Sequence, residues 1–68
     1  MKVKITLNGK PSEVNEGMTL TDLLAHMKIE PLKVACELNQ RIVKRAQYSA
    51  TKIAEGDEIE ILHMIGGG

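Results

Sequence analysis

A chain of 68 residues is long enough for one domain, and a domain of this size buries roughly 60% of the surface that its unfolded chain exposes. Nine basic residues balance nine acidic ones, which excludes a global field favouring nucleic acid or an anionic membrane and leaves proteins as the default partners. With no Phe or Trp and only Tyr48 among the aromatics, the core must be built from Val, Ile, Leu, Met and Ala, which leaves little room for a deep internal active site.

Val3, Ile5 and Leu7 alternate with Lys2, Lys4, Thr6 and Asn8, the period-two pattern of a strand with one buried face. Asn8-Gly9 predicts a hairpin turn, because both residues tolerate positive φ, and Pro11 suits the start of an edge strand reaching about Asn15. After Gly17 the period changes. Leu20, Leu23, Leu24 and Met27 recur at helical spacing, with Thr19 as N-cap and Asp22 in the first turn. Pro31 bounds this helix, since the residue before a proline is pushed out of the helical region, and the expected end is near Lys28 or Ile29.

Val34, Cys36 and Leu38 then alternate with Ala35 and Glu37, Asn39-Gln40 makes a turn, and Ile42-Val43 forms a short further strand. Residues 44–54 lack a clean period and predict an irregular connection with a short helical turn near Tyr48. Gly56-Asp57 marks another turn. The last strand spans residues 58–65, with Ile59, Ile61, His63 and Ile65 on one face and Glu58, Glu60, Leu62 and Met64 on the other. Strands and one helix in this order predict an α+β layer, a sheet with the helix across one face. With the first and last strands parallel neighbours, Lys2 and Lys4 are expected opposite Glu58 and Glu60 on the exposed surface.

The chain ends in Gly66-Gly67-Gly68. Glycine gains nothing from packing and costs about 0.5–1 kcal/mol relative to alanine inside regular structure, so three in succession form a flexible and very slim peptide. Its only functional group is the terminal carboxylate, and delivery of that group into a narrow channel of another enzyme fits the design. A frayed terminus or linker remnant would offer the same glycines. The distinguishing feature is that an apolar strand runs straight into them.

Taken together, residues 3–9, the helix segment Thr19-Leu20-Thr21-Asp22-Leu23-Leu24, the stretch Val34-Ala35-Cys36-Glu37-Leu38-Asn39 with Ile42-Val43, the turn Glu55-Gly56-Asp57 and the final glycines cover nearly the whole chain. In order, spacing and total length the sequence resembles the thiamine-biosynthesis sulfur carriers (ThiS), within the ubiquitin-like β-grasp proteins. It departs from them at Gln40, where many relatives have glycine, and at Lys44, where a proline before the arginine is frequent.

The resemblance implies a mixed sheet of four to five strands with one helix packed across one face, a β-grasp domain over residues 1–65 and a glycine tail over residues 66–68. It also implies that ATP adenylates the Gly68 carboxylate, that sulfur displaces AMP, and that the resulting thiocarboxylate donates sulfur during thiazole formation. A free carboxylate is anionic at neutral pH and repels nucleophiles, so activation must come first. The implied partners are a ubiquitin-activating-type adenylyltransferase (ThiF-like), a thiazole synthase (ThiG-like) and a sulfur donor such as a cysteine desulfurase. The chain itself is then a carrier with no catalytic residue and no bound cofactor, Gly66 and Gly67 supply reach, and ATP is used by the activating enzyme. Leu62 and Met64 form a candidate partner contact, methionine being suited to surfaces that meet several partners.

Cys36, the single cysteine, falls on the strand face of Val34 and Leu38 and reads as a small buried hydrophobe rather than a relay thiol. A lone cysteine, with no charged segment and long apolar run at the start of the sequence, points to a reducing, cytoplasmic setting. His26 and His63 have no metal-ligand spacing with it. Lys44, Arg45 and Arg41 solvate a loop or meet an acidic surface, and Glu58 and Glu60 lack the pocket that acid–base catalysis needs. Two other readings stand beside the thiamine carrier. The same tail chemistry serves molybdenum-cofactor synthesis, tRNA thiolation or protein modification, and a non-covalent β-grasp interaction module would carry the tail incidentally.

Overall fold

The computed structural model describes residues 1–64. Five strands form one sheet in the order β2-β1-β5-β3-β4, with β1 at Lys2–Leu7, β2 at Lys10–Asn15, β3 at Val34–Leu38, β4 at Arg41–Val43 and β5 at Glu58–His63. One helix, α1 (Leu20–His26), crosses from β2 to β3. Short 3-10 turns occupy Pro31–Lys33 and Arg45–Ala50, the second at the place expected near Tyr48.

Asn8 and Gly9 take φ of 50° and 81°, the left-handed pair that lets a two-residue hairpin follow the right-handed twist of its strands. β1 and β2 pair antiparallel across it, from Leu7 opposite Lys10 to Lys2 opposite Asn15. β2 is an outer strand, where Pro11 and Lys10 discourage pairing with another chain. The β3–β4 hairpin uses the same turn geometry at Asn39 (φ 53°) and Gln40 (φ 71°).

Helix α1 begins with a reciprocal cap. The Asp22 N–H donates to Thr19 Oγ1 (3.1 Å), and the Thr19 N–H donates to Asp22 Oδ2 (3.0 Å), so two otherwise unpaired helix-end donors are satisfied. The helix ends earlier than the proline argument predicts. Met27 is the C-cap and Lys28 adopts φ 60°, its N–H donating to the Ala25 carbonyl while the Ile29 N–H donates to the Leu24 carbonyl. This pair of bonds is a Schellman motif, which closes a helix from within. Met27 is consequently at the helix exit and 37% exposed rather than packed.

Leu20, Leu23 and Leu24 on α1 form one core cluster with Ile5 and Val14 of the first hairpin, Val34 and Cys36 of β3, and Ile59 and Ile61 of β5. Tyr48 and Ile53 complete it, drawn in from the stretch whose sequence has no period. That stretch is tied to the helix start: the Leu20 N–H donates to the Thr51 carbonyl (3.0 Å) and the Ile53 N–H to the Met18 carbonyl (2.8 Å).

Candidate functional site

The strand that leads to the C-terminal glycines is β5, and it lies centrally, parallel to β1 and antiparallel to β3. Its alternation is as expected, with Ile59 and Ile61 buried and Glu58, Glu60 and Leu62 exposed. His63 shares the inner-facing parity but is exposed, because it lies at the end of the strand. The strand ends at His63 rather than at Ile65; Ile65 and the glycines Gly66, Gly67 and Gly68 lie outside the described residues. Beyond the strand, the Met64 N–H donates to the Lys33 carbonyl (2.9 Å), which anchors the chain four positions before Gly68. Four extended residues span up to about 14 Å.

Three polar side chains hold β5 and the turn before it. Asn8 Oδ1 accepts from the Ile61 N–H (2.7 Å). Asn39 Oδ1 accepts from the Glu58 N–H (2.9 Å) while Asn39 Nδ2 donates to Asp57 Oδ1 (3.1 Å). Asp57 Oδ2 in turn accepts from the Ala54 N–H (2.7 Å). Both hairpin turns therefore supply an asparagine to the strand that carries the tail.

On the face away from α1, the register places Ala35 opposite Leu62, Glu37 opposite Glu60 and Ile42 opposite Glu37. Leu62 is 42% exposed and Met64 47%, as the sequence pattern predicts, and Ile42 reaches 64%. Ile42 and Glu37 were not singled out by sequence reasoning. Their membership of this face follows from the two-residue turn at Asn39-Gln40, which fixes the β3–β4 register. A shallow depression of about 300 Å³ lies between the hairpin turns, lined by Thr6, Asn8, Gln40, Glu37, Glu58 and Glu60 among others.

The expected pairing of Lys2 and Lys4 with Glu58 and Glu60 does not occur. Thr6, not lysine, stands opposite Glu58, because β1 and β5 overlap only at their Thr6 and Leu7 end. Lys4 meets the preceding turn through its backbone, its N–H donating to Glu55 Oε1 (2.9 Å) and its carbonyl accepting from the Gly56 N–H (2.7 Å). Among the described residues the ion pair within 4 Å is Lys33–Glu30, which is exposed at both ends and contributes little.

Cys36 is fully buried and unpaired in a disulfide. Burial raises the thiol above its ordinary value, partly offset by the Tyr48 side chain beside it, so it stays protonated at neutral pH and is a poor nucleophile. His26 and His63 are exposed, and among the described residues no cluster of His, Cys, Asp and Glu is arranged to hold a metal ion. Arg41, Lys44 and Arg45 are exposed, with Arg45 Nε donating to the Pro31 carbonyl (3.3 Å). No helix among the described residues is long and apolar enough to cross a membrane.

A mixed five-stranded sheet with one helix across one face and the last strand of the sequence at its centre is the ubiquitin-like β-grasp arrangement. The fold of a Caldiarchaeum subterraneum ubiquitin is similar, with a TM-score of 0.55 at 24% identity. The chain belongs to the ThiS family, whose sequence profile matches residues 5–68. The crystal structure of a thiamine biosynthesis protein (ThiS) from Geobacter metallireducens superposes with a TM-score of 0.84 at 38% identity, covering 97% of this chain and 100% of that one. The sulfur carrier protein ThiS of Bacillus subtilis is 35% identical over 65 residues, 94% of this chain and 98% of that protein. A thiazole synthase of Magnetococcus marinus is 46% identical over 66 residues, which make up 97% of this chain. This chain spans only about a fifth of the length of that synthase and of a second one, from Paramagnetospirillum magneticum.

Proposed function

We propose that this chain is a sulfur carrier for thiamine (thiazole) biosynthesis and that its working group is the carboxylate of Gly68. Family membership supports the role, and the observation that carries the site is the anchoring of β5. The strand is buried on one face, its Glu58 and Ile61 N–H groups donate to the Asn39 and Asn8 side chains, and it is fixed through Met64. A rigid base four residues from Gly68 gives the carboxylate a defined reach.

In this reading a carboxylate oxygen of Gly68 attacks the α-phosphorus of ATP on a ThiF-like adenylyltransferase, and pyrophosphate leaves. The terminal sulfur of a persulfide on a donor such as a cysteine desulfurase then attacks the acyl carbon, and AMP leaves with the former carboxylate oxygen. An external thiol cleaves the acyl disulfide so formed, itself ending in a mixed disulfide with the donor and freeing the thiocarboxylate. The thiocarboxylate on Gly68 next delivers its sulfur to a thiazole synthase. Gly66 and Gly67 supply slimness and reach, Leu62 and Met64 contact the enzymes that receive the tail, and the carrier itself binds no cofactor. Relatives named thiazole synthase that contain a segment similar to this chain support the choice of acceptor. In this reading the reaction runs in the cytoplasm, where ATP and reduced thiols are both at hand.

The test is intact mass after incubation with ATP, the cognate adenylyltransferase and a sulfur donor, alongside a variant lacking Gly67 and Gly68. The expected result is a gain equal to replacing one oxygen by sulfur, absent from the shortened chain. An unchanged mass with the cognate enzyme would overturn the reading.

A further inference from the structure

The sequence has three asparagines, Asn8, Asn15 and Asn39, and all three are exposed. Asparagine is thermolabile because the backbone nitrogen of the next residue can attack its side-chain amide and close a five-membered imide. A side chain on that next residue obstructs the attack. Glu16 follows Asn15 and Gln40 follows Asn39, whereas Gly9 follows Asn8. The space where a side chain on Gly9 would stand holds no atom within 4 Å. Exposure therefore does not distinguish the three asparagines, and the neighbour does.

The fold opposes the reaction at this same residue. The Asn8 N–H donates to the Ile59 carbonyl (2.9 Å) and Asn8 Oδ1 accepts from the Ile61 N–H (2.7 Å), so its main chain and side chain together pair with alternate positions of β5. Closing the imide draws Asn8 Cγ onto the Gly9 nitrogen, takes Oδ1 away from Ile61 and leaves a part-buried donor unpaired. The reaction must wait for this end of the hairpin to open locally.

We infer that Asn8 is a site of spontaneous deamidation, gated by its hydrogen bond to the Ile61 N–H, and that the isoaspartyl product unseats β5 from the first hairpin. The Gly9 nitrogen bonds to Asn8 Cγ, the Cγ–Nδ2 bond breaks, and ammonia leaves with the proton that Gly9 gives up. One water then opens the imide. Opening at Cγ gives aspartate, which keeps an acceptor for Ile61 but adds a negative charge beside Glu37, Glu58 and Glu60, with which Asn8 lines one depression. Opening at the main-chain carbonyl gives isoaspartate, whose backbone runs through Cγ and is one methylene longer. The two-residue turn and the acceptor for Ile61 are then lost together. The modification loosens the strand that leads to the glycines, whatever group Gly68 carries.

The experiment ages the purified full chain in native buffer and in concentrated urea at one pH and temperature. Peptide mapping by mass spectrometry scores conversion of amide to carboxyl at Asn8, Asn15 and Asn39, and a methyltransferase specific for isoaspartyl groups separates the two products. Hydrogen exchange of the Ile61 N–H is followed by NMR over the same urea series. Asn8 is expected to react first in urea, to be slowed by roughly tenfold or more in native buffer, and to accelerate with urea in step with exchange at Ile61. Gln40→Gly gives Asn39 a glycine successor and is expected to make Asn39 react in urea alongside Asn8. The isoaspartyl chain, isolated by ion exchange, is expected to unfold at a lower midpoint than an Asn8→Asp variant. Conversion at Asn8 no faster than at Asn15 in urea overturns the site, and equal rates at Asn8 in native buffer and urea overturn the gating. An isoaspartyl chain with the parent's unfolding midpoint overturns the unseating of β5.

Discussion

The Asn8 side chain accepts a hydrogen bond from the Ile61 backbone N–H at 2.7 Å, across 53 positions of sequence, and so extends the β1–β5 ladder past the point where β1 turns away. The same residue holds φ at 50° in the hairpin. One asparagine thereby sets both the turn of the first hairpin and the seat of the strand that carries the tail.

Removing that acceptor leaves a part-buried donor unpaired, which costs about 1–3 kcal/mol. Asn8→Gly retains the left-handed backbone and isolates this loss, whereas Asn8→Ala adds roughly 1 kcal/mol or more for the strained φ. The expected order of stability in urea unfolding is parent, then Asn8→Gly, then Asn8→Ala. An Asn8→Gly protein as stable as the parent would show that the bond to Ile61 contributes nothing.

Lys28 and Gln40 hold φ of 60° and 71°, where an ordinary side chain is strained. Lys28→Gly at the helix end and Gln40→Gly in the β3–β4 turn are each expected to stabilise the domain by about 0.5–1 kcal/mol, the gain being reduced by the greater freedom of glycine in the unfolded chain. Chemical denaturation of each variant reads the change. A decrease in stability would mean that the Lys28 or Gln40 side chain makes a contact worth more than the strain.

Alkaline pH should weaken the fold through the buried pair Cys36 and Tyr48. Burial raises both above their ordinary values of 9.0 and 10.0, and for Tyr48 the adjacent Cys36 adds to the shift. Both groups are neutral when protonated. Their contribution is therefore fully present below the ordinary value of each, and it declines as rising pH ionises first the unfolded and then the folded form. Stability is expected to be insensitive to these groups near neutrality and to fall from about pH 9 upwards. Tyr48→Phe should reduce the slope of that decline, and an identical pH profile in the variant would exclude Tyr48 as a source.

Leu62 and Met64 test the partner surface by its apolar part. Alanine at both positions leaves the core cluster intact, since neither belongs to it, and surface changes of this kind usually alter stability by less than about 0.5 kcal/mol. The expected outcome is weaker complex formation with the adenylyltransferase or the synthase at an unchanged unfolding midpoint. Undiminished affinity for both enzymes would remove these residues from the interface.

Alternation and turn residues were sufficient to read five strands and one helix, because a half-buried strand and an amphipathic helix each print their period on the sequence. The inward positions of Ile5, Leu20, Leu24, Cys36, Ile59 and Ile61 followed from it, as did the exposure of Leu62 and Met64. Three things had no local signal. Strand overlap decides that Thr6 rather than a lysine faces Glu58, since the β1–β5 register depends on where two distant segments meet. Tyr48 and Ile53 enter the core from a stretch without period, because a space left beside the helix start can be filled from any direction. The opposition of Glu37 to Glu60 and the exposure of Ile42 beside them arise only when β3 is laid against β5 and β4. Sequence by itself determined which residues turn inward and that a glycine run follows the last strand; the packing of strands distant in sequence decided which charges and apolar groups share the face beside it.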